Sequence, residues 1–158
     1  MNIMNSFLSF IKSFRYAFEG IAECVRRERN LRFHLCAAFY VLIFMQFYDL
    51  TITQKSVVIL LVALIISLEL VNTSVEKAVD LASPEQNKLA KLAKDASAAA
   101  VLVSAIAAVA IAIIYFWDID TFQRIFKFFI HNIIALVALI VSIVLWILFI
   151  FKFNSNKK

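Results

Sequence analysis

The residues most able to do chemistry lie in "LELVNTSVEKAVD" (68–80), which interrupts an otherwise apolar run. Glu69, Asn72, Glu76 and Asp80 recur at three- and four-residue steps, so on a helix they share one face. Glu69 and Glu76 are then roughly 10 Å apart along the axis. Glu69 falls inside a membrane span and Glu76 near the surface. A charged side chain in the membrane costs at least ~2.5 kcal/mol, which makes it a functional candidate by default. Burial favours the neutral form of any carboxylate, and that poises one there as a proton acceptor.

Other readings of the row stay open. Polar residues can glue helices, although one interhelical hydrogen bond yields only ~1 kcal/mol. A proton or ion path would want a partner acid at mid-depth on another span, and the sequence offers no obvious one. Glu28, ending the first amphipathic segment, reaches the same surface as Glu76. Two carboxylates there suit Mg²⁺, which takes one or two carboxylates plus phosphate oxygens and water. Lys94 and Asp95, opening the third span on that side, are positioned to meet phosphates. The chain has a single Gly, which excludes the glycine-rich nucleotide loops. A nucleotide site would therefore be built from side chains on helices.

The elements that must hold these groups follow from hydropathy. The chain of 158 residues is 63% hydrophobic, with mean hydropathy +0.88. Soluble domains are usually ~45–50% apolar, so this is expected to be an all-α membrane protein with little loop. Residues 1–30 read as an interfacial amphipathic helix. Phe7, Phe10, Ile11, Phe14, Ala17, Phe18, Ile21 and Val25 form its apolar stripe. Residues 31–117 hold three spans, centred on 33–48, 57–75 and 96–117. The helix of the second span is expected to run on to about residue 82, ahead of Pro84. A linker, 118–127, leads to an extra fourth span, 128–151, and a basic tail, 152–158.

The formal net charge is +5. Its basic residues cluster at the ends of apolar runs, which suits anionic lipid and topology signals and argues against a nucleic-acid partner. Arg26, Arg27, Arg29 and Arg32, then Lys77, Lys88, Lys91 and Lys94, then Lys152, Lys157 and Lys158 mark one side as cytoplasmic. Cys24 and Cys36 read as free, packed thiols. His34 and His131 read as hydrogen-bonded histidines. The N-terminal stretch lacks the long apolar core of a cleavable signal.

The motifs "FRYAFEGI" (14–21), "ERNLRFHLCAA" (28–38), "ELVNTSVEKAVD" (69–80), "SPEQNKLAKLAKD" (83–95) and "AAAVL" (98–102) occur in that order. Together they resemble the small prokaryotic integral-membrane lipid kinases, the diacylglycerol kinase/undecaprenol kinase family. The resemblance implies a homotrimer with composite active sites, each protomer an amphipathic surface helix plus three spans. It implies phosphorylation of a membrane lipid alcohol by Mg-ATP at the cytoplasmic face of a bacterial inner membrane. It gives Glu69 the role of general base, Glu28 and Glu76 that of Mg²⁺ ligands, and Asn72 that of orienting the site. Lys94 and Asp95 would contact ATP, and Tyr16, Glu85 and Asn87 fall where the family contacts nucleotide. "ERNLRFHLCAA" resembles the undecaprenol kinases more than the diacylglycerol-preferring members. Diacylglycerol kinase activity is the second reading, and a non-catalytic membrane subunit that kept the fold is the third. Asn87 stands where many relatives have His, and Glu19 where a basic residue is common. The fourth span lies outside the family's three-span core.

Overall fold

Short polar residues set the breaks between helices in the computed structural model, which describes residues 3–85 and 87–152. The first two residues, Gln86 and residues 153–158 lie outside the described residues; of the expected basic tail, 152–158, Lys152 ends α6 and the rest falls outside them. The helices are α1 (Ile3–Arg27), α2 (Arg29–Phe44), α3 (Ile52–Ala82), α4 (Lys88–Phe116), α5 (Ile119–His131) and α6 (Ile133–Lys152). Thr51 and Gln54 form a reciprocal capping box at the start of α3. Asn87 caps α4 by accepting from the Ala90 amide at 2.8 Å, and Asn132 caps α6 by accepting from Ala135 at 3.1 Å. The expected end of the second span's helix, about residue 82, matches the end of α3 at Ala82.

Four helices are long and apolar enough to cross a bilayer: Arg29–Phe47, Ile52–Ala82, Lys88–Phe116 and Ile133–Phe151. The protein is an all-α membrane protein, as the sequence leads one to expect. The 16 residues of α2 are short for a span, and a 3₁₀ turn, Met45–Phe47, extends them. The 31 residues of α3 instead rise about 46 Å, roughly 16 Å more than a hydrocarbon core. Its first turns are polar but few. Most of the excess therefore lies at the C-terminal end, where Glu76, Lys77 and Asp80 leave the apolar layer.

The segment 118–127, expected as a linker, lies mostly within a helix. Asp118 caps α5 through the Asp120 amide and also accepts from the Thr121 hydroxyl. α5 is strongly amphipathic, with Ile119, Phe122, Phe126 and Ile130 exposed. Its apolar C-terminal half runs into the span in sequence, which is why the fourth span reads from 128. Asn132 splits that run, and the membrane helix begins at Ile133. α5 is fixed by Arg124, which donates to Thr121 Oγ1 at 2.7 Å and lies 3.6 Å from Asp49. Tyr48 packs edge-on against Phe116 at 4.9 Å on the same end of the molecule.

At the opposite end Arg32 is fully buried. The sequence counts it only as a topology charge, but it staples two helix ends together. Its Nη1 donates to the Val25 and Arg26 carbonyls, each at 2.9 Å, in the last turn of α1. Its Nη2 and Nε donate to the Ile150 carbonyl of α6 at 3.0 and 3.3 Å. These carbonyls are the acceptors that a helix C-terminus leaves unsatisfied, and the helix dipoles there favour a cation. Tyr40 and Ser142, 2.9 Å apart, and Phe39 against Trp146 at 5.6 Å continue the α2–α6 seam. Arg32→Ala should therefore cost about 3 kcal/mol, since hydrogen bonds to a charged donor contribute most when buried. Thermal unfolding in detergent checks this, and an unchanged melting temperature would contradict it.

On α1, the helix meant to lie in the interface, Phe7, Phe10, Phe14 and Phe18 are all exposed. Glu19, unusual at its position, pairs with Arg15 at 2.7 Å. Both cysteines are free thiols. Burial pushes the Cys24 thiol up from its ordinary value, and Glu28 and Glu23 add to that. His131 Nδ1 donates to the Lys127 carbonyl at 2.8 Å.

Candidate functional site

The chain breaks at Glu28 between α1 and α2, with φ −102° and ψ 112°. Its carboxylate makes no capping bond to α2 and so is not committed to the helix terminus. It faces α3 instead, 3.8 Å from Lys77 Nζ. That contact brings the end of α1 to the outer turns of α3, where Glu76 also sits.

Three groups stack along α3 from the apolar layer outward. Glu69 is deepest and only 4% exposed. His34 of α2 meets it, with Nε2 3.2 Å from Oε1. One turn on, Asn72 is 8% exposed and links α3 to α4. Its Nδ2 donates to Glu76 Oε1 at 3.2 Å, and its Oδ1 accepts from Ser97 Oγ at 2.6 Å. The amide is thus oriented by a donor and an acceptor, and the Glu76 carboxylate is held by it. Outermost, Asp80 accepts from Lys94 Nζ at 2.7 Å. The predicted shared face is real in the sense that Asn72 and Glu76 bond along it.

An apolar groove of about 240 Å³ begins at this stack. It lies between α2, α3 and α4, with His34 and Ile66 at one end and Val58 and Phe116 at the other. Ala105 and Ala108 of α4 form part of its wall, and their small side chains leave the space open. From Ile66 to Val58 the groove follows α3 for about 12 Å, directed away from the charged end. A buried carboxylate in contact with His34, which lines one end of an apolar groove, suits an amphiphile whose polar end lies toward Glu69.

Other predicted residues sit apart in a single chain. Tyr16 is 64% exposed on α1, and Glu85 and Asp95 are exposed. Among the described residues none of the three is bonded or ion-paired to the α3 carboxylates. Asn87 spends its side-chain carbonyl on the α4 cap, while its Nδ2 donates to Ser83 Oγ at 2.9 Å. No group of three or more His, Cys, Asp or Glu side chains able to hold a metal converges among the described residues. Glu28, at the α1–α2 break, and Glu76, on α3, remain as two carboxylates, a donor set that fits Mg²⁺ completed by phosphate and water, and does not fit an all-protein cage.

Sequence reasoning passed over Ser97 and Lys77 as site residues and assigned His34 no role. The signal for His34 was depth. It lies six residues past Glu28 along α2, and Glu69 lies eight before Lys77 along α3. In an antiparallel pair joined at Glu28 and Lys77, those steps bring the two together. Ser97 follows Lys94 by three residues and, as a small residue opening an Ala-rich span, reads as packing alone.

The profile of the family described as prokaryotic diacylglycerol kinase matches residues 15–116. The chain is 45% identical over 94 residues to an undecaprenol kinase of Bacillus subtilis, covering 60% of this chain and 76% of that protein. It is 38% identical over 91 residues to a diacylglycerol kinase of Synechocystis sp., covering 57% of this chain and about half, 52%, of that protein. The matched profile ends with α4, so α5 and α6 lie beyond it.

Proposed function

The chain belongs to the prokaryotic diacylglycerol kinase family, and from that premise we propose that it transfers the γ-phosphoryl group of Mg-ATP to the primary hydroxyl of a membrane lipid alcohol, with Glu69 as general base. The favoured acceptor is an undecaprenol-type polyprenol. That choice rests on the greater identity and coverage of the undecaprenol kinase and on "ERNLRFHLCAA". Diacylglycerol, named for the other relative, is the second acceptor.

The observation that carries the reading is the buried Glu69 carboxylate, 3.2 Å from His34, which lines one end of the apolar groove. A lipid chain lying in the groove brings its hydroxyl to Glu69, while the soluble donor stays at the ionised end. Glu69 takes the hydroxyl proton as the oxygen attacks the γ-phosphorus and the bond to the ADP oxygen breaks. Asn72 keeps Glu76 oriented through its Nδ2. Glu28 and Glu76 would hold Mg²⁺, which when bound neutralises charge on the ATP phosphates. Lys94 and Asp95, with Tyr16, Glu85 and Asn87, make up the nucleotide side. Catalysis of this kind is chiefly positioning and charge neutralisation.

A homotrimer with composite sites is part of the proposal. The exposure of Tyr16, Glu85 and Asp95 in one chain supports it, because they are open to nucleotide or to a neighbouring protomer. A cytoplasmic-facing site in a bacterial inner membrane is supported by Arg26, Arg27, Arg29 and Lys77 lying around the α1–α3 junction.

Filling the groove tests the reading. Ala108→Phe should raise KM for the lipid alcohol roughly tenfold, the equivalent of about 1.4 kcal/mol of lost binding. KM for ATP should not change. Lipid kinetics identical to wild type would take the groove out of the acceptor site.

A further inference from the structure

We propose that His34 is a positioning residue for Glu69, fixing its carboxylate so that one oxygen is left to the lipid hydroxyl. This rests on the reading of Glu69 as the base. The two side chains come from different helices, α2 and α3, and lie 3.2 Å apart from Nε2 to Oε1. Both are withdrawn from solvent, with side-chain exposures of 18% for His34 and 5% for Glu69. A carboxylate taken out of water stays charged only where a donor or cation compensates it. Among the described residues His34 is the group that meets Glu69 at such a distance.

His34 also lines the groove, at the end where the acceptor's polar group arrives. The imidazole therefore touches both the base and the space the lipid occupies. With Nε2 held 3.2 Å from Oε1, the side chain of Glu69 loses rotational freedom, and Oε2 is left to accept the hydroxyl proton. A triad uses the same division of labour in reverse, where a carboxylate orients an imidazole. Phe33 packs edge-on against the His34 ring at 5.7 Å and restrains it in turn. These contacts involve Glu69 and Phe33 and none of Glu28, Glu76, Lys94 and Asp95.

The separation gives the test. His34→Phe keeps a planar ring of similar size and removes the donor. His34→Gln restores an amide Nε2 that can donate at a similar reach. Steady-state transfer from Mg-ATP to undecaprenol and to diacylglycerol is measured for both, with Glu69→Gln in parallel. His34→Phe should lower kcat roughly 100-fold, the scale of a displaced catalytic group, with KM for Mg-ATP unchanged. His34→Gln should recover most of that loss. A wild-type kcat in His34→Phe, beside an inactive Glu69→Gln, would overturn the positioning role alone. A His34→Gln variant as slow as His34→Phe would also overturn it, since packing and not the donor would then matter. Full activity in Glu69→Gln would instead remove the base on which the inference rests.

Discussion

Glu69→Gln should lower phosphoryl transfer to lipid by about 10²–10⁴-fold, the range that a positioned general base contributes. The change keeps the size of the side chain and most of its contacts. The amide oxygen that replaces Oε1 can keep the 3.2 Å approach to His34 Nε2, so the α2–α3 contact survives. Only the proton acceptor is removed. The nucleotide side lies about two helical turns away along α3, at Glu76 and beyond, so ATP binding and assembly should hold. Lipid phosphorylation, nucleotide binding and size in detergent are the three readings to compare. Wild-type turnover in this variant would remove Glu69 from the base position, however well placed it is.

Glu76→Gln should raise the Mg²⁺ concentration needed for half-maximal activity by about tenfold or more, or abolish activity. The Gln oxygen can still accept from Asn72 Nδ2, and Asn72 keeps its bond to Ser97. The local hydrogen bonding is therefore retained while one negative charge is lost. On the proposed reading Glu28 and Glu76 would share the ion, and removing one would leave Glu28 to hold it with phosphate oxygens and water, at lower affinity. A Mg²⁺ titration at saturating ATP makes the comparison. An unshifted titration would remove Glu76 from the metal site and leave it as a partner of Asn72 only.

The row on α3 was legible because helical spacing is a property of one segment. Glu69, Asn72, Glu76 and Asp80 needed only the three- and four-residue steps and the hydropathy around them. The depth order, Glu69 inside and Glu76 outside, followed from the same segment. Contacts between segments were less accessible. His34 meets Glu69 only because α2 and α3 run antiparallel in the register set near Glu28 and Lys77, and residue types alone do not give that register. Arg32 looked like one of four topology charges. Its burial depends on where α6 ends, more than a hundred residues later, and on carbonyls that carry no sequence signature. Asn87, read as a nucleotide contact, was equally a standard helix cap, and its cap is what the fold uses.

The far end shows the same limit. A continuous apolar run from Phe128 reads as one span, since hydropathy averages over the single polar residue Asn132. Local capping decides otherwise, and the run becomes the end of a surface helix followed by a membrane helix. The role of α6 follows from that geometry. It lies along α2 and completes the acceptor set of Arg32, which also holds the last turn of α1 beside Glu28. The additional helix thus braces the corner from which one candidate metal ligand projects.

The most direct measurement is phosphate transfer from labelled Mg-ATP by the purified protein in detergent–lipid micelles, with undecaprenol and diacylglycerol offered side by side. Labelled lipid phosphate, formed faster from undecaprenol and lost in Glu69→Gln, is the predicted result. Folded protein that binds no Mg-ATP and labels neither lipid would contradict the account, and would leave a membrane subunit that keeps the fold without the chemistry.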